Sequence, residues 1–228
     1  MRREKAVTPR RKRKRSQQEA NTRRRTPALG DEQSDTALLL IDLINHFEFP
    51  GAEALLDAAR PVAAVAAHLK QRCVAHRIPV IYVNDNFGRW RSDLHGLVRH
   101  CRRPQAVGRE IVELIRPSPN DYFVLKPQNS AFYSTVLETL LRHLGVRTLV
   151  LCGLTTDNCI LFSAHDAYLR KFELFVPRDA CTAETALAHR RALELIARTT
   201  KADLRTASKI PLAVLAAKPT KAVSKGRS

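Results

Sequence analysis

Residues 146–159 have the sequence Val-Arg-Thr-Leu-Val-Leu-Cys-Gly-Leu-Thr-Thr-Asp-Asn-Cys, in which an apolar run leads into a short polar segment. The apolar run predicts a buried strand, and the helix-patterned stretch after Cys159 indicates that the polar segment is a tight turn into a helix. A thiol in the first turn of a helix lies near the positive end of the helix dipole and near unpaired backbone N–H groups. This position favours the thiolate form of Cys159 and makes the residue a candidate nucleophile.

Two other strand-like runs end in residues whose chemistry complements a thiol. Asp42 follows the apolar run of residues 36–41, and a second run, residues 122–125, ends at Lys126. Because parallel strands place their carboxyl ends at one edge of the sheet, where α/β proteins bind ligands, we expect the three side chains to converge. Taken singly, such an Asp can cap a turn, a Lys is usually solvated and a Cys is often a small buried apolar residue. Together they favour a catalytic group of Asp42, Lys126 and Cys159.

Several further motifs appear in the same order as in a known family. They are Leu40-Ile41-Asp42, Lys126-Pro127-Gln128-Asn129-Ser130-Ala131-Phe132, Gly153 to Cys159, Ala164-His165-Asp166-Ala167 and Asp179-Ala180-Cys181. From about Thr36 to Ala207 the chain resembles the isochorismatase-like cysteine hydrolases, whose amide-cleaving members use an Asp-Lys-Cys triad. The resemblance implies a six-stranded parallel sheet of strand order 3-2-1-4-5-6 and a homo-oligomer.

The pattern of the whole chain alternates strands with helices, which predicts an α/β protein of three layers, α/β/α, with the parallel sheet in the middle. The predicted strands are residues 36–41, 78–83, 122–125, 146–152, 172–176 and 202–206. The predicted helices are residues 55–73, 107–114, 134–144 and 184–198, in addition to the helix that carries Cys159. Residues 84–104 are predicted to form a long functional loop.

The net charge of +17 is concentrated at the two ends of the chain. Residues 1–33 carry 12 Lys and Arg against four Asp and Glu, a net +8, and residues 211–228 carry four Lys and Arg and no acid. We predict a disordered basic tail over residues 1–33, a hydrolase domain over residues 34–210 and a second basic tail over residues 211–228. Clustered Lys and Arg can contact nucleic acid nonspecifically or localise a protein. A solvated extension or a misplaced start codon is the simpler interpretation of the first tail.

The composition argues against membrane and disulfide-rich classes. No apolar stretch has the length of a membrane span, and no apolar core follows the N-terminal charges, so we expect a cytoplasmic protein without membrane contact. The five cysteines form neither a metal-ligand spacing nor a disulfide framework. We interpret Cys73, Cys152 and Cys181 as packing residues and leave Cys101 unassigned.

The residues of the predicted triad have different chemical roles. Lys126 stabilises the thiolate, while Asp42 accepts the thiol proton and later delivers it to a leaving amine. The backbone N–H groups of Thr155 and Cys159 are predicted to bind the oxyanion of the tetrahedral intermediate. The resemblance also implies a cis peptide bond at Leu154–Thr155. An ordinary trans turn with Thr155 as a helix cap is the alternative.

Residues 84–90, Asn-Asp-Asn-Phe-Gly-Arg-Trp, depart from the nicotinamidases of this family, which bind a metal through an Asp-x-His motif. Phe87 stands where the first histidine would be, and His95 and His100 lack a matching carboxylate spacing. We therefore predict no catalytic metal and no cofactor, and nicotinamide becomes a less favoured substrate.

Retention of Cys159 favours cleavage of a C–N bond in a small-molecule amide, carbamoyl or ureido compound. The alternatives are a vinyl-ether hydrolase of the isochorismate type and a non-catalytic scaffold that binds nucleic acid through its tails. The predicted substrate pocket comprises Phe47, Asn86, Phe87, Arg89, Trp90 and Tyr133, with core or subunit packing as the alternative. Arg89 or Arg91 is suited to pair with a substrate carboxylate. His165 and Asp166 are interpreted as packing or subunit-contact residues.

Overall fold

The computed structural model describes residues 34–87 and 93–217. The predicted N-terminal tail, residues 1–33, lies outside the described residues, as do residues 88–92 of the predicted loop and residues 218–228 of the second tail. The division of the chain into one domain between two basic tails stays a prediction.

The sheet has six strands, and every strand pair in the described residues is parallel. They are β1 (Thr36–Ile41), β2 (Val80–Asp85), β3 (Tyr122–Lys126), β4 (Thr148–Leu154), β5 (Glu173–Phe175) and β6 (Cys181–Thr182). The first five lie in the order β3-β2-β1-β4-β5, and β6 bonds to the end of β4. The structure confirms the predicted three-layer α/β class and the order of its first five strands.

The sixth strand differs from the prediction both in its residues and in the strand with which it pairs. Residues 202–206 form no regular strand, and only Asp203 makes a single parallel bridge, to Phe175 at the outer side of β5. Because β5 has only three residues and Pro177 follows shortly after it, the outer edge offers too few backbone partners for a full strand. The last sheet position is instead filled beside β4, where Cys181 pairs with Gly153.

Seven α-helices surround the sheet in the described residues. They are α1 (Ala52–Ala75), α2 (Leu94–Cys101), α3 (Arg109–Leu114), α4 (Leu137–His143), α5 (Leu161–Leu169), α6 (Ala186–Thr200) and α7 (Leu212–Ala216). A π-helical turn at Thr156–Ile160, which we call the cysteine turn, leads directly into α5. Pro61 lies inside α1, and α7 buries Leu212 and Leu215 in the core, so the compact part of the chain extends beyond residue 210.

Helix α2 lies within the segment that the sequence predicted as a long loop, residues 84–104. Asp93 caps this helix, because its side chain accepts a hydrogen bond from the backbone N–H of Gly96 at 2.5 Å. Leu97 and Cys101, one turn apart, provide the buried side of the helix. Leu94, Leu97, Val98 and Cys101 have helical spacing, but eight residues are fewer than the window in which this pattern distinguishes a helix from a loop.

Strand β1 is buried along its whole length, as expected for a central parallel strand covered on both faces. Strand β4 is equally buried, and it meets the end of β1 at Gly153, whose φ is +131°. A Cβ atom on this residue would lie 1.9 Å from the Ile41 carbonyl oxygen, so only glycine fits where the two strands reach the site. None of the helices in the described segments is both long and apolar enough to cross a bilayer.

Candidate active site

The structure brings Asp42, Lys126 and Cys159 together at the carboxyl ends of β1, β3 and β4. The Lys126 Nζ atom lies 2.9 Å from Asp42 Oδ2 and 3.4 Å from Cys159 Sγ. Lys126 is fully buried, Asp42 is buried and Cys159 is partly exposed. The ammonium therefore contacts a carboxylate and a thiol at once, at the edge of the sheet where their convergence was expected. Their catalytic roles stay a prediction.

A second carboxylate belongs to the same cluster. Asp85 Oδ2 lies 3.5 Å from Lys126 Nζ, and the Asp85 backbone N–H donates to Asp42 Oδ1 at 2.7 Å. The Asp85 side chain is 33% exposed and is therefore the carboxylate of the cluster that solvent reaches more readily. Asp85 was not among the predicted site residues. The available signal was that Asp85 ends β2, just as Lys126 ends β3.

Burial controls the protonation of the cluster. Burial and the nearby Asp42 carboxylate together raise the pKa of the Cys159 thiol to about 12, although Lys126 opposes both. Burial also raises the pKa of Asp42, against the lowering effect of Lys126. Burial acts to lower the pKa of Lys126, but the carboxylates and the thiol raise it above its ordinary value. At neutral pH the thiol is thus protonated and the lysine is charged.

This charge state corrects one expectation from the sequence. The helix start was expected to favour the thiolate of Cys159, yet the buried position and the carboxylate of Asp42 outweigh the lysine and keep the proton on sulfur. Removal of this proton therefore needs a base next to the sulfur. Asp42 interacts with Cys159 by a side-chain hydrogen bond, which places its carboxylate in reach of the thiol proton.

The cysteine turn begins after a cis peptide bond at Leu154–Thr155, as the resemblance implied. Thr155 has an extended backbone conformation, and its side chain makes no capping hydrogen bond. Its carbonyl oxygen accepts from the backbone N–H groups of Asn158 and Ile160, at 3.2 Å and 3.1 Å. Assignment of the Thr155 and Cys159 N–H groups to an oxyanion hole stays a prediction.

Helix α5 is tied to the segment that follows Lys126 by a set of short hydrogen bonds. Ser130 Oγ donates to Asp166 Oδ2 at 2.5 Å, and the buried Ser163 Oγ accepts from the Ala131 N–H at 2.9 Å. Asp166 also pairs with Arg170 at 2.7 Å. These bonds connect the segment that follows β3 to α5, which follows the cysteine turn. Asp166 therefore contributes to packing between the two segments, as interpreted from the sequence.

Three of the predicted pocket residues lie close to the cluster along the chain. Asn86 is buried, and its backbone N–H donates to the Lys126 carbonyl oxygen at 3.0 Å. Phe87 is half-buried, and its ring lies 4.6 Å from the ring of His46, measured between centroids. Phe47 is buried and stacks on Phe49 at 6.5 Å, so core packing accounts for its ring.

Of the remaining predicted pocket residues, only Tyr133 lies within the described residues. Tyr133 is 57% exposed, just before α4. Arg89, Arg91 and Trp90 lie outside the described residues. The pocket assignment therefore stays a prediction.

No cluster of three or more His, Cys, Asp or Glu side chains within residues 34–87 and 93–217 is arranged to hold a metal ion. The cation that contacts the thiol is the Lys126 ammonium. This ammonium occupies the space between Asp42 and Asp85, the two carboxylates that end the neighbouring strands.

The fold and the cluster define an α/β protein with a buried lysine beside a cysteine at one edge of its parallel sheet. Residues 36–208 match the family model described as the isochorismatase domain, and the chain belongs to the isochorismatase family.

Known relatives agree with this assignment. The uncharacterized isochorismatase family protein YaaI of Bacillus subtilis (strain 168) is 33% identical over 178 residues, which cover 78% of this chain and 97% of that protein. Ureidoacrylate amidohydrolase RutB of Pantoea ananatis is 27% identical over 183 residues, covering 68% of this chain and 72% of that protein. The crystal structure of N-carbamoylsarcosine amidase from Thermoplasma acidophilum superposes with a TM-score of 0.62 at 28% identity, covering 77% of this chain and 98% of that one.

Proposed function

We propose that the protein is a cysteine-dependent hydrolase that cleaves a C–N bond in a small amide, carbamoyl or ureido compound through a thioester intermediate. The observation that carries this proposal is the contact of Lys126 Nζ with both Asp42 Oδ2, at 2.9 Å, and Cys159 Sγ, at 3.4 Å. A nucleophile, a base and a fixed positive charge are the groups that covalent acyl transfer requires.

In the first half of the reaction, Cys159 Sγ attacks the carbonyl carbon while the thiol proton moves to Asp42. The carbonyl π electrons move to oxygen, and the proposed donors for this oxyanion are the N–H groups of Thr155 and Cys159. When the intermediate collapses, the C–N bond breaks and Asp42 returns the proton to the leaving nitrogen. Ammonia or an amine departs, and the acyl group stays on sulfur as a thioester.

In the second half, Asp42 takes a proton from water as the water oxygen attacks the thioester carbon. The C–S bond then breaks, and sulfur recovers the proton from Asp42. The products are a carboxylic acid, or a carbamic acid if the substrate is a ureido compound, and the free thiol. Lys126 stays protonated throughout, because its pKa is raised by the carboxylates, and it stabilises negative charge on sulfur whenever the proton is away.

The similarity to proteins named as amidases supports the C–N bond as the target. The relatives include a ureidoacrylate amidohydrolase and an N-carbamoylsarcosine amidase, and both align with more than two thirds of this chain. The protonated resting thiol also supports the proposal, since a neutral leaving amine needs a proton that Asp42 has just received.

The test is a screen of small carboxamides, N-carbamoyl amino acids and ureido acids, with release of ammonia or amine and loss of substrate measured separately. We expect turnover of at least one class by the full chain and none by Cys159→Ala. Quenched samples should carry an acyl adduct on Cys159, detected by mass spectrometry. Cys181→Ala serves as a control, because Cys181 is a buried thiol outside the cluster.

The same screen separates the alternatives. Loss of an isochorismate-type vinyl ether without dependence on Cys159 would favour the vinyl-ether reaction. Absence of turnover in every class, with nucleic-acid binding lost on deletion of residues 1–33, would favour the scaffold. Assembly into a homo-oligomer and contact with nucleic acid through the basic tail stay predictions.

A further inference from the structure

Two Thr–His pairs connect helix α6 to the elements that carry the thiol. At one end, Thr156 Oγ1 in the cysteine turn lies 2.8 Å from His189 Nδ1. At the other end, His165 Nε2 in α5 lies 2.8 Å from Thr199 Oγ1. We call these the near pair, Thr156–His189, and the far pair, His165–Thr199. Both join a threonine hydroxyl to a histidine ring over the same distance, but the near pair is partly buried and involves the cysteine turn itself, whereas the far pair is exposed.

The near pair is a partly buried hydrogen bond. Thr156 is fully buried, and burial lowers the pKa of His189, so the imidazole is neutral at pH 7. A contact with the backbone of Arg178 opposes this lowering, as a carbonyl that accepts from a ring N–H does. A neutral imidazole has one donor and one acceptor nitrogen. A hydroxyl can donate or accept, so Thr156 Oγ1 and His189 Nδ1 form a hydrogen bond in either tautomer.

Thr156 is the first residue of the cysteine turn, and the turn presents Cys159 to Lys126. The backbone preceding Thr156 is anchored by the sheet, because Leu154 ends β4. The side chain of Thr156 has its hydrogen-bond partner, His189, on α6, so the turn is connected to the helix layer as well as to the sheet. A thiol and its backbone donors need placement within about 0.5 Å to react efficiently, and such placement depends on supporting hydrogen bonds.

We propose that His189 is a positioning residue, which acts through Thr156 to hold the cysteine turn so that Cys159 Sγ contacts the Lys126 ammonium. The proposal uses the assignment of Cys159 as the nucleophile in the proposed function, and it adds a residue from outside the triad. The competing explanation is ordinary packing, in which the pair contributes only to the free energy of unfolding. The far pair is the matched control for that explanation.

The experiment measures the rate at which iodoacetamide alkylates Cys159 at pH 8, with the modified residue identified by mass spectrometry. The near variants are Thr156→Val, which keeps the shape and removes the hydroxyl, and His189→Ala. Thr156→Ser restores the hydroxyl. The far variants are His165→Ala and Thr199→Val, and the free energy of unfolding is measured for every variant.

Burial and Asp42 raise the pKa of Cys159 more than Lys126 lowers it, so a turn that moves out of the cluster leaves more thiolate at a given pH. We expect the near variants to speed alkylation by about fivefold to tenfold, since tenfold corresponds to one pKa unit. The variant Thr156→Ser should stay within about twofold of the unsubstituted protein, as should both far variants, even where their unfolding free energy falls. The double variant of the near pair should be no faster than either single one.

Two outcomes would overturn the proposal. One is an equal effect of near and far variants on the alkylation rate; the other is an unchanged or slower rate in Thr156→Val. If His189→Ala fails to fold, the nearly isosteric Thr156→Val decides alone. Alkylation needs no substrate, so this result is independent of the amide screen. A loss of positioning in a protein without amide turnover would refute the proposed function and leave this inference intact.

Discussion

On the sheet side of the site, Asp42, Asp85 and Lys126 stand at the ends of neighbouring parallel strands, whereas on the helix side Cys159 stands on a turn between β4 and α5. The register of the strands fixes the sheet side, since Asp85 pairs directly with Lys126. Side-chain hydrogen bonds to neighbouring elements hold the helix side. The difference implies that substitutions on the sheet side change the charge of the site, and that substitutions on the helix side change its geometry.

The largest expected effect comes from Lys126→Met on the sheet side. The substitution leaves the carboxylates of Asp42 and Asp85 next to each other without their cation. Breaking a buried ion pair in this way typically costs about 3–5 kcal/mol, which urea denaturation would measure, and we expect turnover to disappear as well. Lys70→Met is the control, because Lys70 pairs with Asp121 at 2.6 Å in a mostly buried position away from the cluster. The control should lose stability and keep turnover; a stable Lys126→Met variant would contradict the prediction.

Asp42→Asn should lower turnover but increase the reactivity of the Cys159 thiol. Because these two effects have opposite signs, the substitution distinguishes the role of Asp42 in proton transfer from its effect on the charge of the site. We expect turnover to fall by about 10²–10⁴-fold, the usual contribution of a general acid–base group. Asp42 raises the pKa of Cys159, so its removal lowers that pKa and increases the thiolate fraction. Alkylation of Cys159 at pH 8 should therefore become faster.

The pH dependence of alkylation provides the measurement for this prediction. With a Cys159 pKa of about 12, the rate in the unsubstituted protein should rise about tenfold per pH unit up to pH 10 without a plateau. In Asp42→Asn the plateau should move to lower pH. A slower reaction in Asp42→Asn, or a plateau near pH 8 in the unsubstituted protein, would show that the thiol is not under the control of this carboxylate.

A smaller effect is expected from Ser163→Ala on the helix side. The substitution leaves the buried N–H of Ala131 without the oxygen that now accepts it at 2.9 Å. An unsatisfied buried donor costs about 1–3 kcal/mol, measurable by thermal or urea unfolding, and turnover should fall by less than about tenfold because the charges are unchanged. Ser208→Ala, on an exposed residue, should change stability by less than about 0.5 kcal/mol. A complete loss of turnover in Ser163→Ala would mean that the helix side contributes more than geometry.

The sequence predicted the sheet side better than the helix side. The physical reason is that a buried strand has a local pattern in the sequence, whereas a side-chain contact between two elements has none. A buried parallel strand is a continuous apolar run, so its end is visible in the sequence, and residues that end adjacent strands must meet. Asp42 and Lys126 were predicted in this way. Asp85 ends β2 and has the same signal, but it lies in the stretch that was compared with a metal motif.

The helix side depends on contacts between residues far apart in the chain. The pattern of α6 indicates which residues face the core, but it does not say that His189 meets Thr156, which is 33 positions earlier. The same limit applies to the single bridge at Asp203, where a strand-like sequence meets an edge too short to pair with. In each case the outcome depends on the neighbouring element, which the local pattern does not contain.

The complete burial of Lys126 has a consequence for the surroundings in which the protein can work. Dissolved ions screen exposed charge pairs, such as Arg142 with Glu138, whose side chains are 75% and 42% exposed. They cannot reach an ammonium without solvent contact that lies against the buried Asp42. The attraction between Lys126 and Asp42 is therefore insulated from ionic strength, and concentrated electrolyte should leave the cluster of Asp42, Lys126 and Cys159 assembled while the surface pairs weaken.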